Sequence, residues 1–383
     1  MRLAEYIGRY PSIRVAEPAD NEIILAFYDQ APMQTSAFAL QYQRAPDFFR
    51  LLRYQADRAY VFINVDDAGA VRGVAALSLR PGWMDGKPVT IGYLGDLRVG
   101  LDRRIAARWL RWYGEVLANA HEIEELSDCS VWFTAVLDDN AAARRALTRS
   151  ARGGPTYVPL APFTMRNVVA RLPFQRRRDR GWHVSVACTN DVGALTEFFE
   201  AENRQLPLGF RGELSRRLQH WDGLRVTDFV LASDAGGIVA CVAPWSPSLA
   251  KQTIVSRVPP VLRAIGRAAS ALPGRPLRVP MANEALRAAY LTHLTFASRL
   301  GPDVRAAVFR VLLDHVFDRW PETNWHCAAV ADFRDWDLGR ALGGYVQQRV
   351  PITVYSVVPP GRPVGDVDAL RRAGPPAFEM AIV

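Results

Sequence analysis

The sequence predicts an α/β (α+β) chain made of two tandem copies of one unit, each a mixed, mostly antiparallel sheet flanked by helices. Three observations lead there. The chain is 383 residues long, more than one ordinary core holds and suited to two domains. A turn motif occurs twice, and a strand motif occurs twice in the same order.

The turn motif is Asp67-Ala68-Gly69 in the first half and Asp234-Ala235-Gly236 in the second, an offset of 167. Each follows a β-rich run, Tyr60–Val65 or Phe229–Ser233, and glycine supplies the positive φ of a hairpin. The strand motif is Tyr93-Leu94-Gly95-Asp96-Leu97-Arg98-Val99. It is matched by Tyr290-Leu291-Thr292-His293-Leu294-Thr295-Phe296 at an offset of 197. The 30 residues by which the offsets differ fit Ser246–Pro280, which has no counterpart in the first half.

Both halves run in one order around these motifs. A strand (Ile13–Glu17; His183–Ala187) leads through an acidic cap (Asp20; Asp191) into a helix. A second helical stretch follows (Phe48–Gln55; Leu214–Gln219), then the hairpin, the strand motif and a long helix. That helix sets Ile105, Trp109, Trp112, Tyr113 and Val116 on one face; its counterpart sets Val304, Val308, Val311, Leu312 and His315. A further strand (Val131–Val136; Trp325–Val330), a short helix, a Gly-Gly turn (Gly153-Gly154; Gly343-Gly344) and a closing strand pair end each copy. The expected domains are 1–172 and 173–383, the second with an insertion near 246–280. Leu172–Arg180 reads as a solvated linker, and Val258–Arg267 as a short amphipathic basic helix acting as a lid or packing element.

Composition narrows the function. Hydrophobic residues make up 49% and charged residues 22%, a globular profile. The start, MRLAEYIGRY, has no apolar run of signal-peptide length, and no stretch reaches bilayer length, so a cytoplasmic protein is expected. Cys129, Cys188, Cys241 and Cys327 lie far apart, with no CxxC pair and no metal-ligand cluster. They read as isolated buried thiols, and no metal is expected. The net charge of +8 is almost all arginine, Lys87 and Lys251 being the two lysines, and it is spread over both halves. That argues against a nucleic-acid surface while favouring an anionic ligand. No HExxH, GxSxG or Walker-type loop appears, so metalloprotease, serine hydrolase and nucleotide hydrolase readings have no support.

The order strand, two helices, β-meander, helix, strand, helix, strand resembles the GNAT superfamily of N-acyltransferases, most clearly over Tyr60–Asn140. The chain thus resembles two tandem GNAT-like (acyl-CoA N-acyltransferase) domains with degenerate acyl-CoA loop motifs. The resemblance implies acetyl-CoA or another acyl-CoA as co-substrate. It would bind in the first copy, where two central parallel strands splay after the fourth strand, its pyrophosphate on the N–H groups that open the next helix. The family's loop pattern is Arg or Gln, two residues, Gly, one residue, then Gly or Ala. Arg104 matches its arginine, while Ala107 and Trp109 stand at the glycine positions. Asp102 is placed to cap the helix against an anion, with Arg103 and Arg104 to offset it. Donor binding is accordingly expected from the backbone of Leu97, Arg98 and Val99, from Arg103, Arg104, Ile105, Ala106 and Ala107, and from Asn140, which opens an N-x-x-A pattern with Ala143. In the second copy Arg305 stands for Arg104 and no glycine motif follows, so that copy is expected to have lost the donor and to shape the acceptor pocket.

Acyl transfer to an amine requires the amine to lose a proton, the carbonyl to be polarised and the thiolate to gain a proton. Asp96 is the one carboxylate on the strand and the candidate base, although alternation sets it opposite Leu97 and Val99 unless a bulge re-aims it. Tyr93 stands where some members carry a glutamate. A salt-bridged Asp96 and a core Tyr93 are the bland alternatives. His293 takes the place of Asp96 in the second copy. The family's tyrosine acid falls on Leu147 or Thr148, and Tyr157 is the next tyrosine. The expected partner is a small-molecule or peptide amine entering between the copies, with no nucleic acid, no stable membrane insertion and a homodimer left open. The competing reading is a non-catalytic ligand-binding or assembly protein on a degenerate tandem GNAT fold, which the eroded glycines also fit.

Overall fold

The computed structural model describes residues 1–29, 39–100, 103–148, 154–172, 181–257, 278–363 and 366–383. The first half runs α1 (Leu3–Ile7), β1 (Ile13–Val15), α2 (Asn21–Asp29), β2 (Ala39–Gln43), α3 (Arg50–Gln55), β3 (Arg58–Val65), β4 (Val71–Met84), β5 (Lys87–Val99), α4 (Arg103–Ala118), β6 (Cys129–Leu137), α5 (Ala141–Thr148) and β7 (Thr156–Arg171). The second half starts β8 (His183–Val186), α6 (Val192–Asn203), β9 (Gly209–Phe210), α7 (Glu213–His220), β10 (Val230–Asp234), β11 (Gly237–Trp245) and β12 (Gln252–Arg257). It ends β13 (Glu284–Ala285), β14 (Ala288–Phe296), α8 (Pro302–Asp318), β15 (Cys327–Phe333), β16 (Tyr345–Val358) and α9 (Asp366–Arg372).

Thirteen strands form one sheet in the order β1-β3-β4-β5-β6-β16-β7-β15-β14-β11-β10-β8, with β9 added to β4. The closing strands differ from expectation. Each half supplies one long strand rather than a pair, and the two are exchanged. β16 runs antiparallel to β6 (Ile352↔Leu137 to Val357↔Trp132), and β7 antiparallel to β15 (Phe333↔Phe163 to Ala328↔Val168). β7 and β16 then pair with each other from Tyr345↔Arg171 to Val358↔Thr156. The exchange joins the halves edge to edge and leaves neither inner edge open. A second, three-stranded sheet, β13-β12-β2, also draws on both halves.

Helices cover both faces of the large sheet, so its inner strands are apolar on both sides. On β4, Ala75, Leu77 and Leu79 face the core under α4, while Val74 and Ala76 face the core under α2 and α3. β11 repeats this, with Val239 and Val242 under α8, and Cys241, Ala243 and Trp245 on the other side. On α4, Trp109, Trp112, Tyr113 and Val116 are buried as expected. On α8 the stripe is rotated: Val308, Phe309, Leu312, Leu313, Val316 and Phe317 are buried, whereas Val304 is exposed. Gly301 caps that helix and Pro302 begins it, which leaves Val304 in the first turn.

The hairpins are aligned one residue away from the sequence match. Gly69 (φ +80°) corresponds to Gly237 (φ +107°), and Asp66, not Asp67, corresponds to Asp234. Asp66 Oδ1 accepts the N–H of Ala68, as Asp234 Oδ1 accepts that of Gly236. Cys129, Cys241 and Cys327 are buried, but Cys188 is exposed, because it lies in the cap before α6 rather than inside a strand. The linker beyond Leu172, the amphipathic Val258–Arg267 segment and Gly153 lie outside the described residues. No helix among the described residues is long and apolar enough to cross a membrane.

Candidate functional site

β5 and β6 are parallel and pair from Thr90↔Cys129 to Tyr93↔Phe133, after which the register ends. Thr134 Oγ1 donates to Leu94 O at 2.7 Å just past that point. Close approach before the parting depends on Gly92: a Cβ there would lie 2.1 Å from the Trp132 ring. β14 and β15 do the same in the second half, pairing from Ala288↔Cys327 to Tyr290↔Ala329.

Each parting strand carries a bulge. Against β4 the register jumps from Val74↔Arg98 to Ala76↔Gly95, so Asp96 and Leu97 oppose one residue, and Asp96 takes φ +53°. Against β11 it jumps from Cys241↔Thr295 to Ala243↔Thr292, and His293 takes φ +54°. A bulge of this kind bends the strand and re-aims side chains. His293 therefore stands in the place of Asp96 in conformation as well as in sequence.

The two bulges differ in what holds them. The Asp96 carboxylate accepts from Arg44 Nη1 at 2.8 and 2.9 Å and from the Tyr28 hydroxyl at 3.0 Å. Arg44 has 3% of its side chain exposed, donates from Nη2 to Phe48 O and lies over the Phe48 ring. Burial pushes the Asp96 carboxyl up, but the Arg44 guanidinium and the Tyr28 hydroxyl outweigh it and hold the group below its ordinary value. Asp96 is an ion-paired carboxylate with little capacity as a base. Tyr93 packs on Phe133 with centroids 5.1 Å apart, and burial raises its hydroxyl well above the ordinary value.

Around the first bulge, Leu97 is exposed, Val99 packs on the core and the Arg98 guanidinium covers the Tyr28 ring at 3.8 Å. α4 begins at Arg103. The side chains of Arg103, Arg104, Ile105, Ala106 and Ala107, and the whole of Asp102, lie outside the described residues. Trp109 does not enter the parting. It is buried against Trp112 and over Gly73 of β4, where an added Cβ would be 3.3 Å from its ring. Asn140 Oδ1 accepts the Ala143 N–H at 3.0 Å and so caps α5. Tyr157 packs against the core cluster that contains Tyr113 of α4.

At the second bulge the His293 N–H donates to Glu379 Oε2 at 3.0 Å. Glu379 is 8% exposed, and burial raises its carboxyl pKa against the opposing pull of Arg217 and the His293 N–H. Arg217 of α7 is fully buried between Phe210 and Trp221, with Nη1 3.7 Å from Glu379; its Nη1 and Nη2 have no hydrogen-bond partner among the described residues. The His293 ring is enclosed by Phe199, Trp221 and Phe229. Burial holds it neutral, Nδ1 meets Thr292 Oγ1, and Nε2 is buried without a partner among the described residues.

Two cavities flank this segment. The larger, about 530 Å³ including space open to solvent, lies where β14 and β15 part. The smaller, about 360 Å³ and likewise including space open to solvent, has Gln55, Ser78, Arg80, Tyr93 and Phe133 among its lining residues. Both are walled by Phe210, Ala377, Phe378 and Glu379. Arg80 is bound by the Leu208 and Gly209 carbonyls, and burial lowers its pKa to about 9. Sequence reasoning missed Arg44, Arg80, Arg217 and Glu379. Glu379 carried one signal, as the single acid in the apolar run Ala377–Val383.

The chain's fold is that of the GNAT-type N-acyltransferases. It is similar to the GCN5-related glucosamine N-acetyltransferase region of a fungal multi-domain GH3 β-N-acetylglucosaminidase, with a TM-score of 0.58 at 13% identity over 90% of this chain. The chain spans 38% of that protein's length. It is similar to Saccharomyces cerevisiae N-myristoyltransferase with bound myristoyl-CoA, with a TM-score of 0.55 at 10% identity, covering 90% of this chain and 82% of that one. It is also similar to a GCN5-related N-acetyltransferase from Sphaerobacter thermophilus, with a TM-score of 0.50 at 14% identity, covering 92% and 97%. No protein-family model matches the sequence, and no curated protein matches it.

Proposed function

We propose that this chain transfers an acyl group from coenzyme A to an amine, with the donor in the first half and the acceptor between the halves. One observation carries the reading: β5 and β6 part at a bulge that Trp109 does not fill. In this reading the main chain of Leu97, Arg98 and Val99 lines the thioester. The N–H groups of Arg103 to Ala107 receive the pyrophosphate at the start of α4, aided by the Arg103 and Arg104 charges. Asn140 holds the start of α5 beside the open end of β6. Asp96, fixed by Arg44, shapes the bulge instead of taking the amine's proton. Tyr93 forms the wall at the point of parting.

Thermal melting with acetyl-CoA and with a long-chain acyl-CoA tests this and decides the acyl length. A ligand at 100 times its Kd stabilises by about 2.7 kcal/mol, a readable shift. Arg104→Ala should remove the shift. No shift with either donor at millimolar concentration overturns the reading; a shift that survives Arg104→Ala moves the donor to another loop.

A further inference from the structure

We propose that Lys251 is itself an acyl acceptor, so that the chain acylates its own lysine from the donor bound in the first half. This rests on the acyl-transfer reading above. Lys251 belongs to the second half but is carried to the first by β12, whose Gln252 pairs with Gln43 of β2. The next residues along this antiparallel pair are Lys251 and Arg44. The register therefore sets Lys251 beside the arginine that holds Asp96 at the first bulge. Its ammonium lies among rings, 5.9 Å from the centroid of Tyr42 and 5.8 Å from that of Tyr290, and donates to the Val383 main-chain oxygen. Burial raises both phenols above their ordinary values, so they stay neutral and supply no counter-charge. Among the described residues Asp96 is the one acid that acts on Lys251, and Arg44 already pairs with it.

Such surroundings make a nucleophile of an amine. Burial, with the Arg44 charge adding to it against the pull of Asp96, lowers the Lys251 pKa to about 8. At pH 8 about half of such amines are uncharged, against about 0.4% at lysine's ordinary value. The place suits the donor as well. The Asp96 bulge lies where β5 leaves β6, the stretch whose main chain lines the thioester in the proposed complex. The uncharged Nζ attacks the thioester carbon, the C–S bond breaks, and the amine's proton passes to the departing sulfur. The products are Nε-acylated Lys251 and free coenzyme A. Acylation also removes a positive charge that stands beside Arg44. Lys87, the chain's other lysine, is exposed at the end of β5 away from the bulge and serves as an internal comparison.

The test incubates the wild-type chain with acetyl-CoA or tetradecanoyl-CoA and locates acyl groups by peptide mass spectrometry. The expected result is acylation of Lys251 at least about tenfold faster than of Lys87, with a half-time independent of protein concentration, as an intramolecular reaction requires. Arg104→Ala should lose the labelling together with the melting shift. Lys87 acylated as fast as Lys251 by the donor that shifts melting overturns the proposal. So does a half-time that lengthens on dilution, or labelling that outlasts the melting shift in Arg104→Ala. A melting shift without acylation of Lys251 overturns this inference alone. No shift with either donor overturns the acyl-transfer reading and this inference with it.

Discussion

Replacing Arg44 by alanine probes the lock on the first bulge. The change removes two hydrogen bonds to Asp96, at 2.8 and 2.9 Å, a third to Phe48 O at 2.8 Å, and the guanidinium stacked 4.6 Å from the Phe48 ring. The Asp96 carboxylate, 17% exposed, keeps the Tyr28 hydroxyl as a donor and the Arg98 charge nearby. Removing one partner of a buried ion pair costs about 3–5 kcal/mol, because the other charge stays buried. The pH dependence follows from the same geometry. In the wild type, Asp96 has a folded pKa below its unfolded one, so its stabilisation is complete above the unfolded value and is lost as pH falls through the folded value. In Arg44→Ala the largest opposing charge is gone, so the folded pKa rises toward or above the unfolded one, with the Tyr28 hydroxyl and the Arg98 charge still opposing burial, and protonation costs less. The stability difference between the two proteins should therefore be largest at neutral pH and shrink as pH approaches about 4. Denaturant unfolding of wild type, Arg44→Ala, Asp96→Asn and the double variant measures the coupling; asparagine tolerates the positive φ at this position. A cost under about 1 kcal/mol, the level of an exposed pair, or a cost that does not change with pH, refutes the reasoning.

Gly92→Ala drives a Cβ to 2.1 Å from the Trp132 ring and 2.9 Å from Cys129 Sγ, so it should destabilise by about 1–3 kcal/mol or more in the same unfolding assay. Native alkylation with iodoacetamide followed by peptide mass spectrometry should modify Cys188 alone. The other three thiols are buried, which pushes each up to about 12. Labelling of Cys241 at a comparable rate would mean that the sheet opens at the second bulge.

The repeat was legible because its marks are local. The hairpin glycines, the two strand motifs and the caps each act within a few residues, and Asp96 and His293 hold matching places in the two strand motifs, each with a positive φ. What was not legible depends on partners far along the chain. Arg44 reaches Asp96 across 52 positions, and the His293 N–H reaches Glu379 across 86. Local periodicity carries no trace of either contact. The exchanged strands escaped for the same reason: β7 and β16 have the pattern of closing strands, but pattern does not say which neighbour they close against. The rotated stripe of α8 shows a smaller limit, since the start of a helix sets its rotation and the cap at Gly301 had to be seen first.

The crossed final strands also fix an order of events in synthesis. β16 is the seam between β6 and β7, and Thr353 meets Asp138 across 215 residues. While the nascent chain leaves the ribosome, the first half waits with an unfilled slot in its sheet. Such distant pairing is slow and exposes edges meanwhile. A gene divided after codon 172 would produce two fragments that need each other, so their activity on mixing is a complementation experiment.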